Sequence, residues 1–318
     1  MNSFSQVINK ILSQIKKTYN HLSNWGKIFI IVLIFIIIVS CFKQSKSSSI
    51  EGFIQKEEFV HKTDLDIYDD FYADIYDYLV YNDVKNDYEI GQIVNKTGPT
   101  TESIILDVGS GTGHHVGALQ SYNFDVIGLD ISDAMVKKAK QNYPDSKFKQ
   151  GDATNKDLFA PSSFTHILCM YFTLYYIKNK RQFFENCFEW LKPGGFLIIH
   201  LVNKEMFDPI LPPGNPLLLV SPQRYAKKRI TTTKVKFTDF SYNSEFKLND
   251  NSDIAYFIEK FKKDGSNQSR KNEHVLYMDS QKSILTMAQE TGFILEAQAD
   301  LIQSQYEYQY LYFLLKPS

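Results

Sequence analysis

Between residues 68 and 202, short apolar runs alternate with amphipathic segments, a rhythm that predicts repeated strand–helix units. Ile104–Val108, Val126–Leu129 and Phe164–Met170 have strand length, and Phe148-Lys-Gln-Gly-Asp152-Ala153 reads as a weaker strand running into a loop. After Ser132-Asp133, which has the character of a helix N-cap, Ala134-Met-Val-Lys-Lys-Ala reads as a helix. Arg181–Leu191 is a second helix, leading to a Lys192-Pro-Gly-Gly195 turn and the apolar strand Phe196–Val202. Strands and helices in this order predict an α/β fold, doubly wound about a parallel sheet. Such sheets bind ligands at the carboxyl ends of their strands.

The pattern changes on either side. Thr231–Lys247, Ile254–Lys262 and His274–Met278 are β-rich and partly alternating, which predicts three or four antiparallel strands within an insertion over about 204–279. Ser280–Gly292 reads as a helix closed by glycine, with Phe293–Leu301 and Tyr308–Leu315 as an antiparallel pair ending the main sheet. Upstream, Ile28–Phe42 is apolar except for Ser40 and is flanked by Lys27 and Lys43. As a helix it spans about 22 Å, and snorkelling lysines and Trp25 extend its reach towards a bilayer core of about 30 Å. The expectation is a single N-terminal transmembrane helix over 26–43. A cleaved signal peptide competes, and Ile38-Val-Ser-Cys41 looks like a lipidation box, but the leading region is long and no small-x-small site follows. Residues 1–25 place Phe4, Val7, Ile8, Ile11, Leu12 and Ile15 at helical spacing with lysines between. This reads as a basic amphipathic segment for an anionic membrane surface or as a short coiled coil. Residues 44–66 are then a linker, and 67–318 the folded domain.

The chemistry concentrates at the first strand. Asp107-Val-Gly109-Ser110-Gly111-Thr112-Gly113 sets an acid before three glycines at alternate positions, where bare backbone N–H groups can approach a ligand. A dinucleotide loop wants its third glycine one place later, where this chain has His114. Asp130 closes the second strand and Asp152 the third. An acid at the first of these positions can accept both hydroxyls of a ribose.

These motifs resemble class I S-adenosylmethionine-dependent methyltransferases of the small-molecule type over about 68–202, with the end of the chain included. The resemblance implies a Rossmann-like seven-stranded sheet and S-adenosyl-L-methionine as cofactor. It implies cofactor contacts at Asp107, Gly109, Ser110, Gly111, Thr112 and Gly113, at Asp130 and Ile131, and at Asp152, Ala153 and Met170. It further implies that the tyrosine-rich entry Ile67–Tyr78 folds over the cofactor through Tyr68 and Tyr72, although helical packing accounts for those tyrosines as well. The insertion resembles a substrate-side cap, or else merely widens the fold. His114 and His115 are expected to close over the cofactor.

Charge narrows the acceptor. The chain carries 35 basic and 36 acidic residues, but its first 50 residues hold six lysines and no acid, so the remainder has 29 basic against 36 acidic. Nucleic acid is a poor partner for such a domain. The base-modifying enzymes of the superfamily carry an Asn/Asp-Pro-Pro-aromatic motif after the fourth strand, and Met170-Tyr-Phe-Thr-Leu-Tyr-Tyr176 stands there instead. A small-molecule, lipid or protein acceptor held near the membrane is expected, with the domain on the cofactor-containing, cytosolic side. The alternative is a non-catalytic cofactor-binding or membrane-tethered assembly module. Cys41, Cys169 and Cys187 show no metal or disulfide spacing, and no metal is expected. Methyl transfer from a sulfonium needs a base only if the acceptor arrives protonated. His200 is a candidate base, His274 has no better claim, and a structural role competes for both. No catalytic residue is assigned.

Overall fold

The computed structural model describes residues 23–45, 57–214, 221–249 and 252–318. Contacts divide the chain into Met1–Gly52 and Phe53–Ser318. In the first unit, helix α1 (Asn24–Ser45) has 22 residues, or about 33 Å at 1.5 Å each. It is longer at both ends than the 26–43 expected. Among its described side chains, Trp25, Phe29 and Phe35 are exposed. Among the described residues no helix is long and apolar enough to cross a membrane. The side chains described in α1 reach only Phe35, whereas the apolar sequence runs to Phe42. The amphipathic segment expected over 1–25 lies almost wholly outside the described residues.

The second unit opens with strand β1 (Phe59–Thr63), followed by helices α2 (Asp70–Val80) and α3 (Asp83–Thr97). Parallel strands β2 (Ile104–Val108), β3 (Asp125–Asp130), β4 (Lys147–Gln150), β5 (Phe164–Cys169) and β6 (Leu191–Val202) follow. Between them run α4 (His114–Gln120), α5 (Asp133–Asn142), the single turn α6 (Thr173–Tyr176) and α7 (Lys180–Trp190). Four strands β7 (Thr232–Lys236), β8 (Phe240–Leu248), β9 (Ile254–Lys263) and β10 (Ser269–Tyr277) precede α8 (Gln281–Thr291) and the final pair β11 (Ile294–Leu301) and β12 (Tyr306–Leu315).

Seven strands form the main sheet in the order β4-β3-β2-β5-β6-β12-β11, with β12 antiparallel to both neighbours. The order reverses at β2, so the carboxyl ends of β2 and β5 diverge there and leave a crevice. Both faces are covered, which explains why the central strands are apolar runs rather than alternating ones. Phe183, Phe184 and Trp190 of α7 pack on one face against Leu197 and Ile199. Ile90 and Ile93 of α3, with Val116 and Leu119 of α4, pack on the other against Ile105 and Ile198. Caps read from the sequence set the helix ends: Ser132 accepts from the Met135 N–H, Ser280 from Ser283, and Gly292 is left-handed at φ 115°.

Two boundaries differ from expectation. The Lys192–Gly195 turn lies inside β6, because Leu191 already pairs with Phe164 before the strand bulges and resumes with Phe196 opposite His166. The linker expected over 44–66 contains β1, which pairs parallel with β10 and completes a five-stranded sheet, β1-β10-β9-β8-β7. Thr231–Lys247, read as one stretch, is a hairpin turned at 237–239. A β-unit of the insertion is therefore closed by a segment from before the main sheet, and the two run together as one packed body.

Candidate active site

The glycine loop follows β2. Gly109, Gly111 and Gly113 have φ values of 71°, 53° and 93°, which side-chain-bearing residues rarely adopt. A Cβ on Gly109 would also lie 2.4 Å from the Thr173 side chain. The N–H groups of Gly109 and Ser110 donate to the Leu129 carbonyl at 2.7 and 3.0 Å, and that of Gly111 to Asp130 Oδ2 at 2.9 Å. The expectation that these groups face a ligand is corrected: the loop spends them on β3. It is therefore not the anion nest a pyrophosphate needs, and the ligand it suits carries no phosphate there.

Asp130 receives the Ser132 N–H on Oδ1 at 2.9 Å, so both carboxylate oxygens are oriented and retain lone pairs towards the crevice. Burial raises its pKa, against the backbone hydrogen bonds that lower it. Asp152 accepts from the N–H and hydroxyl of Thr154, both at 2.8 Å. Asp107 is 1% exposed and its Oδ2 has no hydrogen-bond partner; burial lifts its pKa to about 6.

A cavity of about 630 Å³ runs from these strand ends to the second sheet. Of the expected cofactor residues, Gly109, Gly111, Asp130, Ile131, Asp152, Ala153, Tyr68 and Tyr72 line it. Asp107, Ser110, Thr112, Gly113 and Met170 stand behind the wall. Met170 is buried in the core, and Thr112 Oγ1 donates to Asp77 at 2.5 Å. His114 stacks on Tyr81 with centroids 3.7 Å apart and meets Asp77 at 3.0 Å, while His115 reaches Glu89 at 3.2 Å. Neither lines the cavity, so their expected closure over the cofactor is corrected: both tie α4 to α2 and α3.

The entry segment is fastened from two sides. The Ser132 hydroxyl donates to the Tyr68 carbonyl at 2.6 Å. Arg270 on β10, 4% exposed, donates to both oxygens of Asp69 and to the Ile67 carbonyl, each at 2.9 Å. Tyr68, Tyr72 and Tyr76 thus form one aromatic wall. The wall continues through Tyr171, Phe172, Thr173 and Tyr176 after β5, which the sequence did not disclose, and through Phe207–Pro212, Phe246, Phe257 and His274 of the insertion, with Tyr306. Its one available signal was Met170–Tyr176 itself, aromatic where a strand end should turn polar.

Tyr171 is left-handed at φ 51°. Its carbonyl accepts from His200 Nδ1 at 2.6 Å, and His200 Nε2 meets Gln309 Oε1 at 3.0 Å. His200 is fully buried, outside the cavity, and burial pulls its pKa down to about 4. It holds the Tyr171 turn and is no base. His274 does line the cavity. Behind it, Glu259 accepts from His274, Tyr242 and Asn272 at 2.8, 2.7 and 3.0 Å. Among the described residues no group of three or more His, Cys, Asp or Glu side chains is placed to hold a metal ion.

The donor set fits a nucleoside cofactor without phosphates: an oriented carboxylate at the end of β3, a loop whose N–H groups are taken up by β3, and an orphaned buried carboxyl oxygen beneath it. Residues 106–199 match the methyltransferase-domain family. Two curated relatives are N,N-dimethyltransferases of dTDP-linked amino sugars. The one from Saccharopolyspora spinosa is 33% identical over 42% of this chain and 55% of its own, and the one from Streptomyces venezuelae is 29% identical over 42% and 58%. The chain thus spans little more than half the length of the curated relatives it matches. Among solved structures, the CcbJ methyltransferase of Streptomyces caelestis aligns with a TM-score of 0.60 at 17% identity, over 79% of this chain and 98% of its own. CalS10, an amino pentose methyltransferase with S-adenosylmethionine bound, aligns at 0.52 and 18% over 73% and 90%. Residues 106–199 thus carry a methyltransferase domain of the S-adenosylmethionine-dependent kind.

Proposed function

We propose that the protein transfers a methyl group from S-adenosylmethionine to the nitrogen of a small amine, with nucleotide-linked amino sugars as the first acceptors to try, and that α1 tethers it to a membrane. The carrying observation is the shared cavity, in which the carboxyl ends of β2, β3 and β5 open without interruption onto an aromatic floor from the second sheet. A cavity of this size suits small ligands rather than a protein or nucleic-acid chain. The relatives' acceptors support an amine.

Asp130 would hold the ribose hydroxyls, Asp152 to Thr154 the base, and the loop at Gly109 and Gly111 the amino-acid portion. The bound cofactor supplies an electrophilic methyl group on a sulfonium. Tyr68, Tyr72, Tyr76 and Tyr171 line the cavity with aromatic rings, which favour a nearby cation and exclude water, and they would align the acceptor for in-line attack. For the tether, Ile28, Phe29, Ile31, Val32, Leu33 and Phe35 of α1 are apolar and exposed, and the apolar sequence runs on to Phe42. The domain then works on the cytosolic side, where its cofactor is made.

The test is full-length protein in detergent micelles with radiolabelled S-adenosylmethionine and dTDP-4-amino-2,3,4,6-tetradeoxy-D-glucose, alongside lipid and hydroxyl acceptors. Sustained label on the amine supports the reading and excludes a pure binding module. Label on hydroxyl acceptors alone would refute the amine assignment.

A further inference from the structure

One face of β10 buries Arg270, Asn272 and His274 at alternate positions, where a half-buried strand ordinarily buries apolar side chains. Asn272 and His274 meet Glu259 of β9, which has no exposure at all, and Arg270 meets Asn272. Replacing a buried ion pair with packed apolar residues is often neutral or stabilising, so the part of this file beyond the Arg270 fastening raises the question of a use. The proton positions along it follow from one end. Arg270 can only donate, so Asn272 Oδ1 accepts its Nε–H at 2.7 Å and the amide nitrogen of Asn272 must donate onward to Glu259. Tyr242 also donates to Glu259, so each of its two oxygens already receives a donor and, with its pKa held down despite burial, it is a carboxylate. His274 therefore carries its proton on Nε2, facing Glu259 at 2.8 Å, and leaves Nδ1 as an acceptor. The Tyr176 hydroxyl lies 2.8 Å from that nitrogen and donates to it. The file ends on the cavity wall, at Tyr176 and His274.

We propose that Tyr176 and His274, backed by Glu259, form the proton-accepting relay of the transfer step. This rests on the amine reading above. As the acceptor nitrogen's lone pair forms the N–C bond, the C–S bond breaks and its electrons stay on sulfur. The nitrogen is left with a surplus proton in a cavity walled off by tyrosines. That proton passes to the Tyr176 oxygen while the Tyr176 proton passes to His274 Nδ1. The resulting imidazolium sits beside the Glu259 carboxylate, ringed by Tyr68, Tyr72 and Phe257 with centroids 5.6–6.1 Å away, and loses the proton to bulk water after product release. A nitrogen so restored to its neutral form can accept a second methyl group, which a trapped ammonium cannot.

Tyr176→Phe removes one hydroxyl and keeps the ring, and it is the primary test, with the full-length protein in micelles and the same amino sugar. Turnover is expected to fall by about 100-fold or more, in the range of general acid–base groups, with cofactor affinity within about twofold of the wild type. His274→Ala should fall as far and regain activity with added imidazoles in proportion to their basicity, which a packing role would not produce. Glu259→Gln should lose about tenfold. Turnover of Tyr176→Phe within about threefold of the wild type overturns the relay, as does rescue that follows imidazole size rather than basicity. If the wild type methylates a hydroxyl and no amine, the amine reading fails separately, and the Tyr176→Phe loss on that hydroxyl still decides the relay. Transfer to no acceptor overturns both.

Discussion

Replacing Arg270 by methionine probes the fastening of the entry segment to the second sheet. The side chain is 4% exposed and makes four hydrogen bonds, two to Asp69, one to the Ile67 carbonyl and one to Asn272, with its guanidinium 4.7 Å over the Phe71 ring. Methionine fills most of the volume and makes none of these. Removing one partner of a buried pair costs about 3–5 kcal/mol, and Asp69 at 34% exposure recovers some hydration, which points to the low end, about 3 kcal/mol. At about 2–4 °C per kcal/mol for a domain of this size, melting should fall by roughly 6–12 °C. Because Tyr68 and Tyr72 ride on the released segment, cofactor affinity should weaken about tenfold, a factor worth about 1.4 kcal/mol. Arg270→Lys keeps the charge but loses the fork, and should lie between the two proteins. Scanning calorimetry and cofactor titration of the full-length variants check this. A melting shift below about 2 °C with unchanged affinity would refute the reasoning.

Four further outcomes follow from the structure. Burial raises the Glu89 carboxyl, but the Lys85 charge and the His115 hydrogen bond outweigh it and hold its pKa down to about 2; the stability it contributes, on the order of 3 kcal/mol, is present above the unfolded carboxylate value and lost as pH falls from about 4.5 towards 2. Asp107, raised to about 6, acts oppositely: stability rises as pH falls from about 6 to about 4, and urea titrations of Asp107→Asn should lack that slope. Gly109→Ala places a methyl group against Thr173 at a φ of 71°, which should cost about 2 kcal/mol or more in stability and abolish cofactor binding; adding Thr173→Ala should recover only part, since the φ penalty stays. Deleting residues 1–45 should move the protein from the membrane fraction to the supernatant, and unchanged fractionation would rule out the α1 tether.

Much of the frame was legible because its signals are local. Ile104–Val108 with its glycines, Asp130 before a Ser132 cap, and Gly292 after a helix each declare themselves within a few residues. What stayed hidden depends on partners far away in the chain. Phe59–Thr63 is short and mixed in polarity, and only pairing with β10, some 210 residues later, makes it a strand. The loop's N–H groups looked free for a ligand because nothing in the sequence reveals that the Leu129 carbonyl lies over them. His200 and His274 are alike in sequence, each one histidine beside an apolar run. Burial behind Tyr171 makes one a support, and a neighbouring carboxylate plus a cavity makes the other a candidate for chemistry. The signal missed was alternation itself: Arg270, Asn272, His274 and Leu276 share the inward face of β10, and three of those four are polar.

The central claim, that the carboxyl ends of β2 and β3 form an S-adenosylmethionine site, is tested most directly by titrating the full-length protein in micelles with that cofactor in a calorimeter, beside Asp130→Ala. The account predicts one site in the wild type and binding at least tenfold weaker in the variant, with both proteins melting cooperatively. A folded wild type that takes up no cofactor, or an Asp130→Ala protein that binds it equally well, would contradict it.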